Sequence, residues 1–254
     1  MNGTVVLAFS GGLDTSFCVP YLRERGWDVV TLFVDTGGVS AEHRAWIEER
    51  ALGLGAKEHI TQDAGEELWE SFVVPFVMGG ACYQDQYPLL CSDRYLIASR
   101  AAALGAEIGA SAIAHGCTAM GNDQVRFDQS LRCLTDLPIL APIREIQAET
   151  DEPRAFEIRT LERLGVEVGR DVSRYTINEN VLGVTVSGSE IDGFGAPSAE
   201  TYRLTVPPEK LPAGHVSTRV GFEGGRAVTL DGRRLGGAEM LAELNGLLGA
   251  YGVG

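Results

Sequence analysis

The sequence predicts an α/β fold, a parallel sheet wrapped by helices and followed by a smaller α+β part, and three observations carry that expectation. Short β-branched runs alternate with stretches of helical spacing. Those runs are apolar on both faces, as strands covered on both sides must be. Beyond about Gly165 the texture changes, with frequent glycine and proline and hairpin-like spacing.

Taken in order, Thr4 to Phe9 is an apolar run that ends at a glycine pair, and Leu13 to Arg25 has helical spacing, so the chain opens strand, loop, helix. Pro20 falls inside that helix, where proline removes a backbone donor, so the regular part is expected to begin late or to bend. Asp28 to Val34 is a second strand, Ala41 to Leu54 a second helix and Glu58 to Thr61 a third strand, followed by a helical stretch around Glu66 to Val77. Asp93 to Leu104 reads as helix, Ser111 to His115 as strand and Asn122 to Leu131 as helix, after which Pro138 and Pro142 interrupt the pattern. Val216 to Phe222 and Arg226 to Leu230 flank Glu-Gly-Gly as a hairpin would, and Gly237 to Leu248 reads as an amphipathic helix. A boundary near Gly165 gives two domains, 1–165 and 166–254.

The formal charge of -14, from 21 basic against 35 acidic side chains, repels a polyanion, so nucleic acid is not an expected partner. No apolar run reaches the roughly 20 residues of a membrane span and no basic leader precedes the first strand, so a cytoplasmic protein without a membrane role is expected. Five cysteines, Cys18, Cys82, Cys91, Cys117 and Cys133, include no CxxC pair, which argues for reduced thiols and against a metal module.

Directly after the first strand, Ser10, Gly11, Gly12, Leu13, Asp14, Thr15 and Ser16 place two glycines and three hydroxyls at a helix N-terminus. Unpaired N–H groups and the positive end of the helix dipole attract phosphate there, and glycine lets the backbone come close. The loop has no Walker lysine and no G-x-G-x-x-G spacing, which points away from γ-phosphate transfer and toward recognition of pyrophosphate. A second loop follows Ser111 to His115, running Gly116, Cys117, Thr118, Ala119, Met120, Gly121, Asn122, Asp123, Gln124, Val125, Arg126, Phe127. Ligands of open parallel sheets gather outside the carboxyl ends of the strands, so both loops are expected to face one cleft. Amide, carboxylate and guanidinium groups there can hold an amino acid by both its charges.

Together the two loops resemble those of the argininosuccinate synthase family of N-type ATP pyrophosphatases. SGGLDTS is similar to the phosphate loop of the whole group, whereas HGCTAMGNDQVRFD is similar to a stretch particular to the synthases. Tyr83 to Ser92 (YQDQYPLLCS), Ala141 to Glu145 (APIRE) and Tyr175 to Asn180 (YTINEN) match further family segments in the same order. The resemblance implies an adenine nucleotide alpha hydrolase-like domain followed by a smaller, incomplete α+β synthetase domain. It also implies ligation of citrulline and aspartate to argininosuccinate with ATP and Mg2+, through a citrullyl adenylate, releasing AMP and pyrophosphate in arginine biosynthesis.

Matched position by position, the resemblance puts Ala8, Ser10, Gly11, Gly12, Asp14, Thr15, Ser16, Val34 and Gly116 around ATP. Thr118, Asn122 and Asp123 would hold aspartate, and Tyr87, Ser92, Asn122, Arg126, Thr176 and Thr185 citrulline, the two threonines standing where the family commonly has serines. Asp14, Asp123 and Arg126 are carried over as the catalytic group, with no metal bound by the protein itself. The family's Gly-Lys in the second motif is Ala119-Met120 here, which removes a cation, and the sequence stops where family members continue. The missing part would complete the citrulline pocket and supply a helix for tetramer assembly, so a homo-oligomer is expected once it is supplied. Three other readings stay open: another adenylating pyrophosphatase such as a tRNA thiolase or amide synthase, a non-catalytic ATP-binding module, and an inert truncated paralogue.

Overall fold

The structure, a computed structural model, describes residues 2–82, 84–85, 90–166 and 175–253. These divide into two compact units. One holds the chain up to Val34, Val39–Gln62 and the chain from Arg94 to residue 166; the other holds Asp35–Gly38, Asp63–Asp93 and the chain from Tyr175 onward. Each unit is therefore assembled from stretches that are not contiguous in sequence.

The first unit is built on β1 (Thr4–Ala8), α1 (Leu13–Glu24), β2 (Asp28–Asp35), α2 (Ala41–Gly53) and β3 (Glu58–Asp63), continued by α5 (Asp93–Glu107), β4 (Ala112–Ala114), α6 (Asp123–Leu134), β5 (Ile139–Leu140), α7 (Pro142–Glu149) and α8 (Pro153–Arg163). Its sheet has the order β3-β2-β1-β4-β5. The β1 pairings with β2 (Val5 opposite Val29) and with β4 (Val5 opposite Ala112) are parallel, as is that of β4 with β5 (Ile113 opposite Ile139). Val5, Val6 and Leu7 are wholly buried, the mark of a central strand covered on both faces. Phe17 and Leu22 of α1, Ile47 and Ala51 of α2, Ile143 and Ile146 of α7 and Leu161 of α8 close over it. Each of the phenylalanine, leucine and isoleucine side chains contributes about 1.5–3 kcal/mol on burial, which together outweighs the proline inside α1.

The sheet order reverses between β1 and β4: successive strands step one way from β1 to β3 and the other way from β4 to β5. That is the topological switch point, where loops leaving the two carboxyl ends diverge and open a crevice. Both loops singled out in the sequence leave from there.

The helix after the first strand begins at Leu13 and runs to Glu24 with Pro20 inside it, so it does not begin late. Pro142, read from sequence as an interruption, is the first residue of α7, where its fixed φ suits the helix and its missing N–H has no partner to lose. The two-residue β5 is too short to show a period, and α7 and α8 each open on a proline, which reads in sequence as an interruption.

In the second unit, α3 (Gly65–Leu68), a π-helical turn (Trp69–Val73) and α4 (Val74–Gly79) replace the single helix expected over Glu66 to Val77. The π turn packs Trp69, Val73 and Val74 together with Leu182, Ala227 and Leu241. A hairpin of β6 (Thr176–Asn180) and β7 (Gly183–Ser187), not anticipated from sequence, precedes the antiparallel β8 (Val220–Glu223), β9 (Arg226–Leu230) and β10 (Arg233–Arg234). The last helix, α9, spans Gly237–Gly249. No helix among the described residues is long and apolar enough to cross a membrane.

Candidate functional site

The loop after β1 is shaped by its own hydroxyls. Thr15 Oγ1 accepts from the Ser10 N–H at 3.3 Å, lies 3.2 Å from Ser10 Oγ and donates to the Gly12 carbonyl at 3.4 Å, while the Gly12 N–H donates to Ser10 Oγ at 3.4 Å. Gly11 has φ +76°, and a Cβ on it would lie 2.8 Å from the Trp46 ring, so both conformation and space demand glycine. Gly12 caps α1 with no side chain filling the N-terminus, and the N–H groups of the first turn have no intrahelical acceptor. The arrangement can hold an anion such as a phosphate.

Ser16 is not presented to a ligand. It is wholly buried, donates to the Gly11 carbonyl at 3.1 Å and accepts from Arg50 Nε at 2.7 Å. It acts as a strut, and it brings Arg50, which the sequence reading missed, beneath the loop. Ala8 ends β1 and is buried, as is Val34 near the end of β2.

Asp14, in the first turn of α1, lies beside Glu157 of α8. Burial pushes both carboxyls up, and Glu157 rises to about 8 with the Asp14 charge adding to the effect. Glu157 therefore keeps a proton through neutral pH and shares it with Asp14. Its Oε2 is buried without a hydrogen-bond partner among the described residues, and no periodicity in the sequence disclosed that these two carboxyls meet between α1 and α8.

The loop after β4 meets this one directly. A Cβ on Gly116 would lie 2.9 Å from Thr15 Cγ2 and 3.2 Å from the Thr15 nitrogen, so the second loop passes the first turn of α1 too closely to leave room for a side chain. Thr118 Oγ1 donates to the Met120 carbonyl at 2.7 Å. Asn122 is the N-cap of α6, and its side chain makes no capping bond. Asp123 opens the helix and accepts from Arg126 at 3.2 Å and from Arg94 at 3.3 Å. Arg126 and Asp123 are thus each other's partners here, and a zwitterion could replace each with its own charges. Met120, where a lysine was the expected family residue, is 80% exposed.

His115, at the end of β4, accepts from the Cys117 N–H through Nδ1 at 3.2 Å, which leaves Nε2 to donate to Asp128 Oδ1 at 3.0 Å. Burial lowers its pKa in spite of the Asp128 carboxylate beside it, so the ring is neutral. Burial likewise pushes the Cys117 thiol up to about 12, and the wholly buried Cys18 thiol is also raised. Neither is a thiolate at neutral pH, so neither serves as a nucleophile.

The remaining candidates lie in the second unit or outside the described residues. Tyr87 is outside them. Ser92 is 3% exposed and its hydroxyl has no hydrogen-bond partner among them. Asn180 fixes the segment around Ser92: its amide donates to the Leu90 carbonyl at 2.7 Å and to Asp93 Oδ2 at 2.9 Å, and its oxygen accepts from the Leu182 N–H. In the β6–β7 register Thr176 faces Ser187 and Asn178 faces Thr185, which puts Thr176 and Thr185 on one face of the hairpin. No group of three metal-ligating side chains occurs among the described residues.

A parallel sheet whose switch point carries a lysine-free, glycine-rich loop at a helix N-terminus defines an α/β protein of the nucleotide-binding type. The sequence profile described as "Arginosuccinate synthase N-terminal HUP domain" matches residues 4–161, and "Arginosuccinate synthase C-terminal domain" matches residues 175–254. The chain belongs to the argininosuccinate synthase family. The argininosuccinate synthase of Xanthomonas campestris pv. campestris is 54% identical over 250 residues, which are 98% of this chain and 63% of that protein. That of Xanthomonas axonopodis pv. citri is 54% identical, over 98% of this chain and 61% of its own length. That of Xylella fastidiosa is 48% identical, over 100% and 63%. The chain spans a little over three fifths of the length of these curated relatives.

Proposed function

We propose that this chain carries out, or forms the nucleotide-binding part of, the ATP-dependent ligation of citrulline and aspartate to argininosuccinate in arginine biosynthesis. The observation that carries the reading is the close approach of Gly116 to Thr15, with no room for even a Cβ between them, which brings the glycine-rich loop and the second loop together at one switch point. ATP, arriving with Mg2+ as part of the substrate, would lay its phosphates on Ser10, Gly11, Gly12, Asp14 and Thr15, with Ala8, Val34 and Gly116 bounding the rest of the nucleotide and Ser16 bracing the loop. Thr118, Asn122 and Asp123 would hold aspartate. Tyr87, Ser92, Asn122, Arg126, Thr176 and Thr185 would hold citrulline.

In the first step the ureido oxygen of citrulline bonds to the α-phosphorus and pyrophosphate leaves. In the second the aspartate amine bonds to the ureido carbon, AMP departs with that oxygen, and the amine gives up its proton. No side chain becomes covalently attached, in keeping with the high thiol pKa values. The protein supplies position and charge: Asp123 for the ammonium, Arg126 for a carboxylate, helix N-terminal N–H groups for the phosphates. Asp14, Asp123 and Arg126 are proposed as the catalytic group. A cytoplasmic setting, no nucleic acid partner, a boundary at 165/166 between the nucleotide-binding and synthetase domains, and assembly into the family's tetramer with further sequence supplied belong to the same proposal.

Citrulline labelled with 18O in the ureido group tests the route. The expected result is label in AMP. Label retained in the amino-acid product would exclude attack by the ureido oxygen, and ATP binding without AMP formation would favour a nucleotide-binding module.

A further inference from the structure

The Ala141 to Glu145 segment and the aspartate that ends the second motif have no part in the chemistry above, yet they converge on the second loop. Asp128, on α6, is their hub. Its Oδ2 accepts from Arg144 at 2.7 Å, and its Oδ1 accepts from a second Arg144 nitrogen at 3.0 Å and from His115 Nε2 at 3.0 Å. The consequences reach the loop residue by residue. His115, held by Asp128, accepts from the Cys117 N–H at 3.2 Å. Arg144, held by the same carboxylate, turns its Nε to the Thr118 carbonyl at 3.4 Å. Gln147, one turn further along α7, accepts from the Ala119 N–H at 2.7 Å, and Gln124 donates to the Ala119 carbonyl at 2.6 Å.

Four backbone groups of residues 117–119 are thus each bonded to a side chain from α6, from α7 or from the histidine that follows β4. His115 is 1% exposed and Asp128 16%, so the hub is shielded where charge-assisted bonds hold best. Burial works against the Asp128 carboxylate, but the bonds from Arg144 and His115 and the guanidinium charge outweigh it and hold the acid below its ordinary range. A loop rich in small residues does not keep one conformation unaided.

We propose that Asp128, Arg144 and Gln147 are positioning residues that fix the backbone of residues 117–119 and so aim Thr118, Asn122 and Asp123 at the amino-acid substrate. The consequence for substrate rests on the proposed aspartate role of this loop; the clamp itself does not. Bidentate geometry is essential to it, so Arg144→Lys, which keeps the charge, should fail where Asp128→Glu, which keeps the fork, should partly succeed.

The test is residue-resolved amide hydrogen exchange, read by NMR, on the purified chain and on Asp128→Asn, Asp128→Glu, Arg144→Lys and Gln147→Leu. It is combined with titration of aspartate in the presence of ATP and citrulline, and thermal unfolding confirms that each variant is folded. Asp128→Asn and Arg144→Lys should accelerate exchange at the Cys117 and Ala119 amides on the order of tenfold, the loss of about one hydrogen bond. Gln147→Leu should accelerate Ala119 alone. The amides over Ser10–Ser16 should not change, aspartate should bind on the order of tenfold more weakly, and ATP should bind as before. Wild-type exchange at those amides in a folded Asp128→Asn or Arg144→Lys variant would overturn the proposal, as would equal loss of ATP and aspartate binding. A loop that loosens in the variants while the unaltered chain takes no aspartate would uphold the clamp and refute the aspartate role.

Discussion

Replacing Gly116 with alanine should separate the two loops while leaving the sheet intact. The added methyl would lie 2.9 Å from Thr15 Cγ2, 3.2 Å from the Thr15 nitrogen and 3.4 Å from the Asp14 carbonyl carbon. Ordinary contact between such atoms is near 3.5–4 Å, so one loop must retreat by roughly half an ångström. Thr15 cannot simply turn aside, because its hydroxyl holds the Ser10 N–H and the Gly12 carbonyl. Overpacking of this kind costs about 1–3 kcal/mol of stability where the loops stay put. Where they part, a charge-assisted bond to phosphate, worth about 1.5–3 kcal/mol, is lost. The proposed ATP affinity should therefore fall about 10- to 100-fold. Calorimetric titration of ATP into Gly116→Ala, beside a Gly53→Ala control whose added methyl meets nothing within 4 Å, measures it. Wild-type affinity and wild-type urea midpoint in Gly116→Ala would refute the contact between the loops.

Three further outcomes are expected. Asp123→Ala should leave ATP binding intact and abolish the aspartate-dependent step; equal loss of both, read by titration and product assay, would remove Asp123 from its proposed role. Glu157→Gln keeps a hydrogen-bond donor for Asp14 but cannot ionise. The folded-state pKa of Glu157 lies above its unfolded value, so its contribution is complete below about 4.5 and is lost as pH rises through about 8. The variant should gain on the wild type across that window by an amount on the order of a few kcal/mol, and parallel urea stability curves from pH 5 to about 8.5 would contradict the shared proton. Asn180→Ala removes the donor to the buried Asp93 carboxylate and to the half-buried Leu90 carbonyl, and the acceptor of the half-buried Leu182 N–H, so thermal unfolding should report a loss of about 2–4 kcal/mol, and a loss below about 1 would mean the Ser92 segment is held by other means.

Most of the sheet was legible because its strands are apolar on both faces and its loops carry glycine in the places where strands must turn into helices. The first two strands and the helices from Leu13 and Ala41 follow from local pattern alone. What escaped notice depends on distant partners. Pro142 looked like a breaker because nothing near it in sequence announces that a helix starts there. The π turn at Trp69–Val73 fits an aromatic side chain against Leu182 and Ala227, more than a hundred residues away in the chain. The β6–β7 hairpin carries two asparagines and a glutamate in its first strand, residues depleted in strands, and they break the apolar alternation there. In the site, the loop residues were visible as a cluster of rare types. Arg50, Glu157, Asp128 and Gln147 were not, since each sits on an ordinary helical face and acquires its role only when the fold brings it to a loop. Ser16 shows the opposite case, a motif hydroxyl that the fold turns inward as a brace.

The central claim is that two loops at one switch point make a site for ATP-driven joining of two amino acids. The purified chain, given Mg-ATP with citrulline and aspartate and then with each withheld in turn, tests it most directly when AMP and pyrophosphate are followed together. Release that requires citrulline, and argininosuccinate that requires both amino acids, is the expected result; AMP formed at the same rate without either amino acid, or no ATP binding at all, would contradict the claim.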